Sequence, residues 1–155
     1  MKAIEKILFP IDFAENYDVL LPWVSTFVDK FDATLYVLFV TQDLSSFSSF
    51  YVPHGNIQSF QMEAEAAANK KMAHAVKEHF RKFPKLESRV LTGDPAAKIM
   101  ELAKKEKIDL IIMGAHGRKG LERVFFGSVA DEVVTSAPCP VLTIHPWAHD
   151  HREIL

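Results

Sequence analysis

The stretch Leu110-Ile111-Ile112-Met113-Gly114-Ala115-His116-Gly117, followed nine residues later by Gly127-Ser128-Val129-Ala130, decides how this chain folds. Four apolar residues in a row read as a strand covered on both faces. The glycines break that strand, and the apolar spacing from about Gly127 to Ala137 has the period of a helix. Glycine lets the backbone come close to a ligand and tolerates dihedrals that other residues avoid. The first amides of a helix have no partner inside it and point at whatever lies beyond. A strand that passes through such a loop into a helix start is a cradle for an anion, so a phosphate-bearing small molecule is the expected ligand. No Gly-Lys-Ser/Thr follows, so this is not a Walker loop. Backbone amides and the Ser128 hydroxyl must hold the phosphates, alone or with a metal ion.

Outward from that stretch the chain alternates strand and helix. Ile7-Leu8-Phe9-Pro10-Ile11 reads as a buried strand with Asp12 at its end. Leu20, Val24, Phe27, Val28 and Phe31 then share one helical face, with Pro22 as a kink or a first-turn residue. Leu35 to Val40 is the second strand. Residues 41–57, where serines are interleaved with Phe47, Phe50 and Tyr51, read as a loop that is long for a compact domain. The spacing of Met62, Ala66, Asn69, Ala73, Val76 and Phe80 predicts a long helix with those residues along one face. Ser88 to Thr92 is a short strand. Asp94 and Pro95 are the N-cap and first position of a helix that turns Ile99, Leu102 and Ala103 inward, with Glu101 and Lys105 as an outer i, i+4 pair. Strand 109–113 follows, and Cys139 to Ile144 is the last strand.

Five strands alternating with four helices predict an α/β fold, a parallel sheet with helices on both faces. With the order 3-2-1-4-5 the strand sequence reverses between the first and fourth strands, and ligands bind beyond the carboxyl ends at such a point. Those strands end at Asp12 and Gly114, so topology and glycine spacing select the same crevice. Asp12 there reads as an acceptor for ribose hydroxyls or as the cap of the first helix.

Composition narrows the classes. A chain of 155 residues, 48% of them hydrophobic, fits a single domain over 1–155 with a sizeable core, and 146–155 reads as a mobile tail. A formal charge of −2 argues against nucleic acid as a partner. No apolar run reaches the ~20 residues of a membrane span, and the N-terminus lacks the core of a signal peptide. The lone Cys139 excludes an intrachain disulfide, and a cytoplasmic setting is expected. His145, His149, Asp150 and His151 read as part of the mobile tail rather than as a metal site, and Cys139 as a small buried apolar residue rather than a nucleophile.

The full order of motifs, from Ile7-Leu8-Phe9-Pro10-Ile11-Asp12 through Gly93-Asp94-Pro95 and Gly114-x2-Gly117-x9-Gly127-Ser128 to Ala137-Pro138-Cys139-Pro140-Val141-Leu142, resembles the universal stress protein family over the whole chain. The resemblance implies a Rossmann-like fold of the adenine nucleotide alpha-hydrolase type and, with the glycine pattern intact, the ATP-binding branch. It places Pro10, Ile11 and Asp12 at the adenine and ribose end and the backbone of Val40 against adenine. It sets Met113, Gly114, Gly117, Gly127, Ser128 and Val129 around ribose and phosphates, where Mg2+ or Mn2+ could also bind. His116, Arg118, Lys119 and Arg123 add positive charge beside the loop and read either as screening the phosphates or as a solvated charged loop, with His116 and Arg118 as candidate phosphate contacts and Arg118 preferred. It also implies a homodimer through the last strand, Val141 to Ile144.

Three functions fit these residues. The first is an ATP-binding, homodimeric regulatory or stress-response protein, favoured because the cradle is complete and no catalytic triad or pair of metal-binding acids is recognisable. The second is a slow ATPase or self-phosphorylating enzyme with Ser128 or a loop serine as acceptor. The third is a dimeric interaction module, its edge strand open to pairing, with no physiological nucleotide.

Overall fold

The structure, a computed structural model, describes residues 1–13, 15, 17–45, 54–115 and 127–145, with 54 and 55 described by backbone alone. The elements are β1 (Lys6–Pro10), a 3-10 turn (Tyr17–Leu20), α1 (Leu21–Phe31), β2 (Thr34–Thr41), α2 (His54–Ala75) running into a π-helical turn (Val76–Phe80), β3 (Leu86–Thr92), α3 (Pro95–Lys105), β4 (Leu110–Gly114), α4 (Ser128–Ser136) and β5 (Val141–Ile144). The five strands form one sheet in the order β3-β2-β1-β4-β5, and each neighbouring pair is parallel. The α/β class and strand order expected from the sequence are those observed.

Successive side chains of a strand point to opposite faces, and the two cores follow that rule. Ile7 and Phe9 of β1 join Leu35 and Val37 of β2 under α1 and α2, against Val24, Val28, Met72 and Phe80. Leu8, Leu38 and Ile111 face the other way, against Ile99, Leu102 and Ala103 of α3 and Ala130 and Val133 of α4. Burial on both faces explains why β1, β2 and β4 are apolar at almost every position. Each fully buried aliphatic side chain contributes roughly 1.5–3 kcal/mol, and Ile7, Leu8, Leu35, Val37, Leu38, Ile111 and Ile112 are all wholly buried.

Local chemistry fixes the helix ends. Pro22 sits in the first turn of α1 rather than kinking it, where a missing N–H costs nothing. Asp32 closes α1 in the left-handed conformation, φ 51°, and Lys85 binds its carboxylate at 2.8 Å. Asp94 caps α3 as expected, its carboxylate accepting from the Ala97 amide at 2.9 Å. Glu101 pairs with Lys98 at 2.9 Å rather than with Lys105 as its main partner.

Two sequence expectations fail on the second crossover. Helix α2 starts at His54, inside the stretch read as loop. Its buried face is Ala68, Met72 and Ala75, whereas Met62 is 67% exposed and Ala66, Asn69 and Ala73 are exposed too. Alanine on every side of this helix gives little contrast between faces, so periodicity cannot orient it. Packing against β2 and β3 does. Among the described residues no helix is long and apolar enough to cross a membrane. The tail 146–155 lies outside the described residues.

Candidate functional site

The carboxyl ends of the strands open into a cavity of about 1040 Å3, at the upper end of the volumes typical of small-molecule sites. Its floor is the end of the sheet: Pro10, Ile11 and Asp12 after β1, Leu38 to Gln42 along and beyond β2, and Met113 and Gly114 of β4. The switch point between β1 and β4 thus lies in the cavity floor. Ile11 is held in place by its amide bonding to the Leu38 carbonyl at 2.8 Å, and Ala115 by its amide bonding to that of Ile144 at 2.8 Å. The polypeptide therefore leaves β1 and β4 in fixed directions, spreading apart over the crevice.

The walls come from helix starts. Val129 belongs to the first turn of α4, and Pro95 and Ile99 belong to α3. The two helix starts differ chemically. Asp94 spends its carboxylate on the Ala97 amide of α3. Gly127 is the N-cap of helix α4 and has no side chain to offer, so among the described residues no side-chain cap is made there. The first amides of a helix have no partner within it, and the helix dipole favours an anion there.

Of the site residues read from the sequence, the structure brings Pro10, Ile11, Asp12, Val40, Met113, Gly114 and Val129 to this one cavity. Gly127 and Ser128 immediately precede Val129 at the α4 start. His116, Gly117 and Arg118 lie outside the described residues.

The sequence reading missed two walls. The 3-10 turn supplies Tyr17, Val19 and Leu20, with Glu15 just before it, and α2 supplies Ala64, Ala67, Ala68 and Lys71. Burial pushes the Tyr17 hydroxyl above its usual range, and neighbouring Asp18 adds to the shift. A polar cluster fastens α2 to the strand ends. Glu65 accepts from the Thr92 hydroxyl at 2.9 Å and from the Gln61 amide nitrogen at 3.1 Å, Thr92 lies 3.4 Å from the Thr41 hydroxyl, and the Leu44 amide donates to Gln61 at 2.8 Å. These bonds hold Thr41, Gln42 and Leu44 along the cavity edge. Cys139 is half-buried, and burial raises its thiol, with Lys2 lowering and Asp109 raising it further. That is the environment of an inert thiol.

Comparison with known proteins agrees with this architecture. The sequence profile of the universal stress protein family matches residues 3–145. The Methanocaldococcus jannaschii universal stress protein MJ0531 is 34% identical over 143 residues, which span 90% of this chain and 81% of that protein. Among solved structures, that of M. jannaschii MJ0577 superposes with a TM-score of 0.74 at 27% identity, covering 93% of this chain and 97% of the other. The universal stress protein UspA of Lactobacillus plantarum gives 0.73 at 26% identity, covering 93% and 99%. More distant structures share the fold and are described with adenine nucleotides bound. The Archaeoglobus fulgidus universal stress protein in complex with dAMP has a TM-score of 0.62 at 18% identity, and covers 90% of this chain and 97% of that one. An Arabidopsis thaliana family protein with AMP bound has 0.58 at 18%, covering 94% of each chain. A universal stress protein in complex with cAMP has 0.58 at 20%, covering 94% and 99%. The chain belongs to the universal stress protein family.

Proposed function

We propose that this chain binds ATP in the cavity at the carboxyl edge of its sheet and acts as a homodimeric, nucleotide-dependent regulator of a stress response. The observation that carries the reading is the meeting, in one cavity, of the β1 and β4 ends with a helix start that, among the described residues, no side chain caps. Adenine lies against the end of β2, where the Val40 backbone offers its hydrogen-bonding groups, and the apolar cavity walls exclude water from the ring. Asp12 accepts from the ribose hydroxyls. Met113 and Gly114 support the ribose from β4, and the phosphates run to the α4 start at Gly127, Ser128 and Val129. By the sequence motif Gly117, His116 and Arg118, which lie outside the described residues, would contact the phosphates, and Mg2+ or Mn2+ would add positive charge there. The adenine nucleotides in related structures support the choice of base. The dimer forms at β5, which among the described residues is the last strand of the sheet beside β4, and an edge strand of this kind can pair with a second copy.

Mass spectrometry of small molecules released by denaturing the freshly purified protein tests the ligand. ATP near one per chain is the expected result. A protein that is empty, and stays empty after incubation with millimolar ATP, overturns the proposal. Light scattering at micromolar concentration tests the dimer, and a monomer mass contradicts it.

A further inference from the structure

The cavity straddles the carboxyl edge of the sheet, and its two halves have different walls. On one side stand Pro95 and Ile99 of α3 and Val129 of α4; on the other stand Tyr17, Val19 and Leu20 of the 3-10 turn and the lining residues of α2. Ile99 and Val129 belong to the core under α3 and α4, whereas Tyr17 and Leu20 belong to the core under α1 and α2, so the two sets lie on opposite faces of the sheet. A nucleotide that runs from the β2 end past Asp12 to the α4 start lies on the first side and leaves the second open. The cavity, at about 1040 Å3, exceeds the roughly 300–1,000 Å3 of a site for one small molecule.

That second side is an apolar lobe with a cation in its wall. Val19 and Leu20 face Ala64, Ala67 and Ala68 across it, and alanine leaves empty the space a larger side chain would take. Lys71, one helical turn beyond, is the one cation among the described lining residues, and no hydrogen bond or ion pair engages it among the described residues. The carboxylates that line the cavity, Asp12 and Glu15, have interactions of their own. The Tyr17 ring is fixed by three others: Phe13 edge-on at 6.5 Å, His79 edge-on at 5.7 Å and Phe80 stacked at 6.0 Å. Burial, with Asp18 adding to it, keeps the Tyr17 hydroxyl protonated, and so a donor. One unpaired cation matches a single negative charge, and the lobe matches an apolar body. We propose that the half of the cavity between the 3-10 turn and α2 is a second binding site, for an apolar monocarboxylate of the fatty-acid class. Lys71 takes the carboxylate, the Tyr17 hydroxyl is a further donor to it, and the chain lies along Val19, Leu20, Ala64 and Ala67. Because Lys71 is exposed, the ion pair is worth only roughly two- to fivefold in affinity, and the chain supplies the rest.

Amide NMR of the nucleotide-free full chain, titrated with decanoate below its micelle concentration, tests the site, and with no nucleotide present the outcome is independent of whether ATP binds. The expected result is saturation in the millimolar range or below, with shifts at Val19, Leu20, Ala64 and Ala67 and little change at Ile99 and Val129. K71Q weakens decanoate roughly two- to fivefold and leaves decanol, which has the same chain and no charge, unchanged. Ala67 is exposed at the lobe, so A67F fills the lobe without touching the core, and weakens decanoate and decanol alike by about tenfold or more. No saturation, shifts centred on Ile99 and Val129 instead, or full decanoate affinity in A67F overturns the site. A K71Q protein that binds decanoate as the wild type does, or that loses decanol equally, overturns the role of Lys71 and with it the choice of a carboxylate.

Discussion

Replacing Gly114 by alanine separates the cost of packing from the cost to the site. Gly114 ends β4 at the cavity, and a Cβ placed there stands 3.0 Å from Cδ1 of Leu20. Two carbons at rest lie about 3.5–4.0 Å apart, so Leu20 must retreat by several tenths of an ångström. Leu20 is itself a cavity residue, and the cavity is the space into which it can yield. A single relieved contact belongs at the low end of overpacking penalties, about 1 kcal/mol. Against it stands a gain of about 0.4–1 kcal/mol, because alanine narrows the unfolded ensemble. The two nearly cancel, and the melting temperature of G114A stays within about 3 °C of the wild type. Affinity does not share that compensation. On the proposed reading the new Cβ and the displaced Leu20 methyl both intrude on the ribose position, and the expected loss is at least about tenfold, ~1.4 kcal/mol. Thermal unfolding without ligand, paired with an ATP titration, reads both quantities. G114A with unchanged affinity would refute the assignment of this backbone to the ligand, and a fall in melting temperature of about 8 °C or more would refute the packing estimate.

Three further outcomes follow from individual contacts. D94A removes the carboxylate that accepts from the Ala97 amide at 2.9 Å, and costs about 1 kcal/mol, seen as a drop of about 2–4 °C in thermal denaturation. Tyr17 is held neutral above its usual range by burial and then by Asp18. The unfolded chain therefore ionises first as the pH rises, and stability is full below the ordinary tyrosine range and declines above it. Urea unfolding from pH 9 to 11 is expected to show a shallower decline in Y17F than in the wild type. Cys139, whose thiol burial raises, reacts with iodoacetamide at pH 8 more slowly in the folded protein than in urea. Equal rates would contradict that environment.

Much of the fold was legible because its signals are local. Unbroken apolar runs marked the strands buried on both faces, Asp94-Pro95 marked the α3 start, and alternation of strand and helix implied the parallel sheet that the structure contains. The site was legible where it is built from strand ends. Asp12, Val40 and Gly114 are placed by topology, and the cavity holds all three. What escaped was whatever depends on how a helix turns about its own axis. Alanine in α2 blurred its faces, so neither the buried stripe of Ala68, Met72 and Ala75 nor the cavity wall of Ala64, Ala67 and Lys71 could be read. Sequence spacing also gave no sign of the π-helical turn, because one extra residue per turn changes no residue type. The place of Tyr17 between that turn and the cavity is a tertiary fact, fixed by Phe13, His79 and Phe80 together.

The central claim is that the crevice between the β1 and β4 ends is an ATP site. Calorimetric titration of ATP into nucleotide-stripped protein, with D12A alongside, tests it most directly. The account predicts saturation at one ATP per chain, with affinity for D12A reduced by about tenfold or more, as expected when a charged acceptor to the ribose is removed. No saturation up to millimolar ATP, or equal affinity in D12A and the wild type, would contradict it.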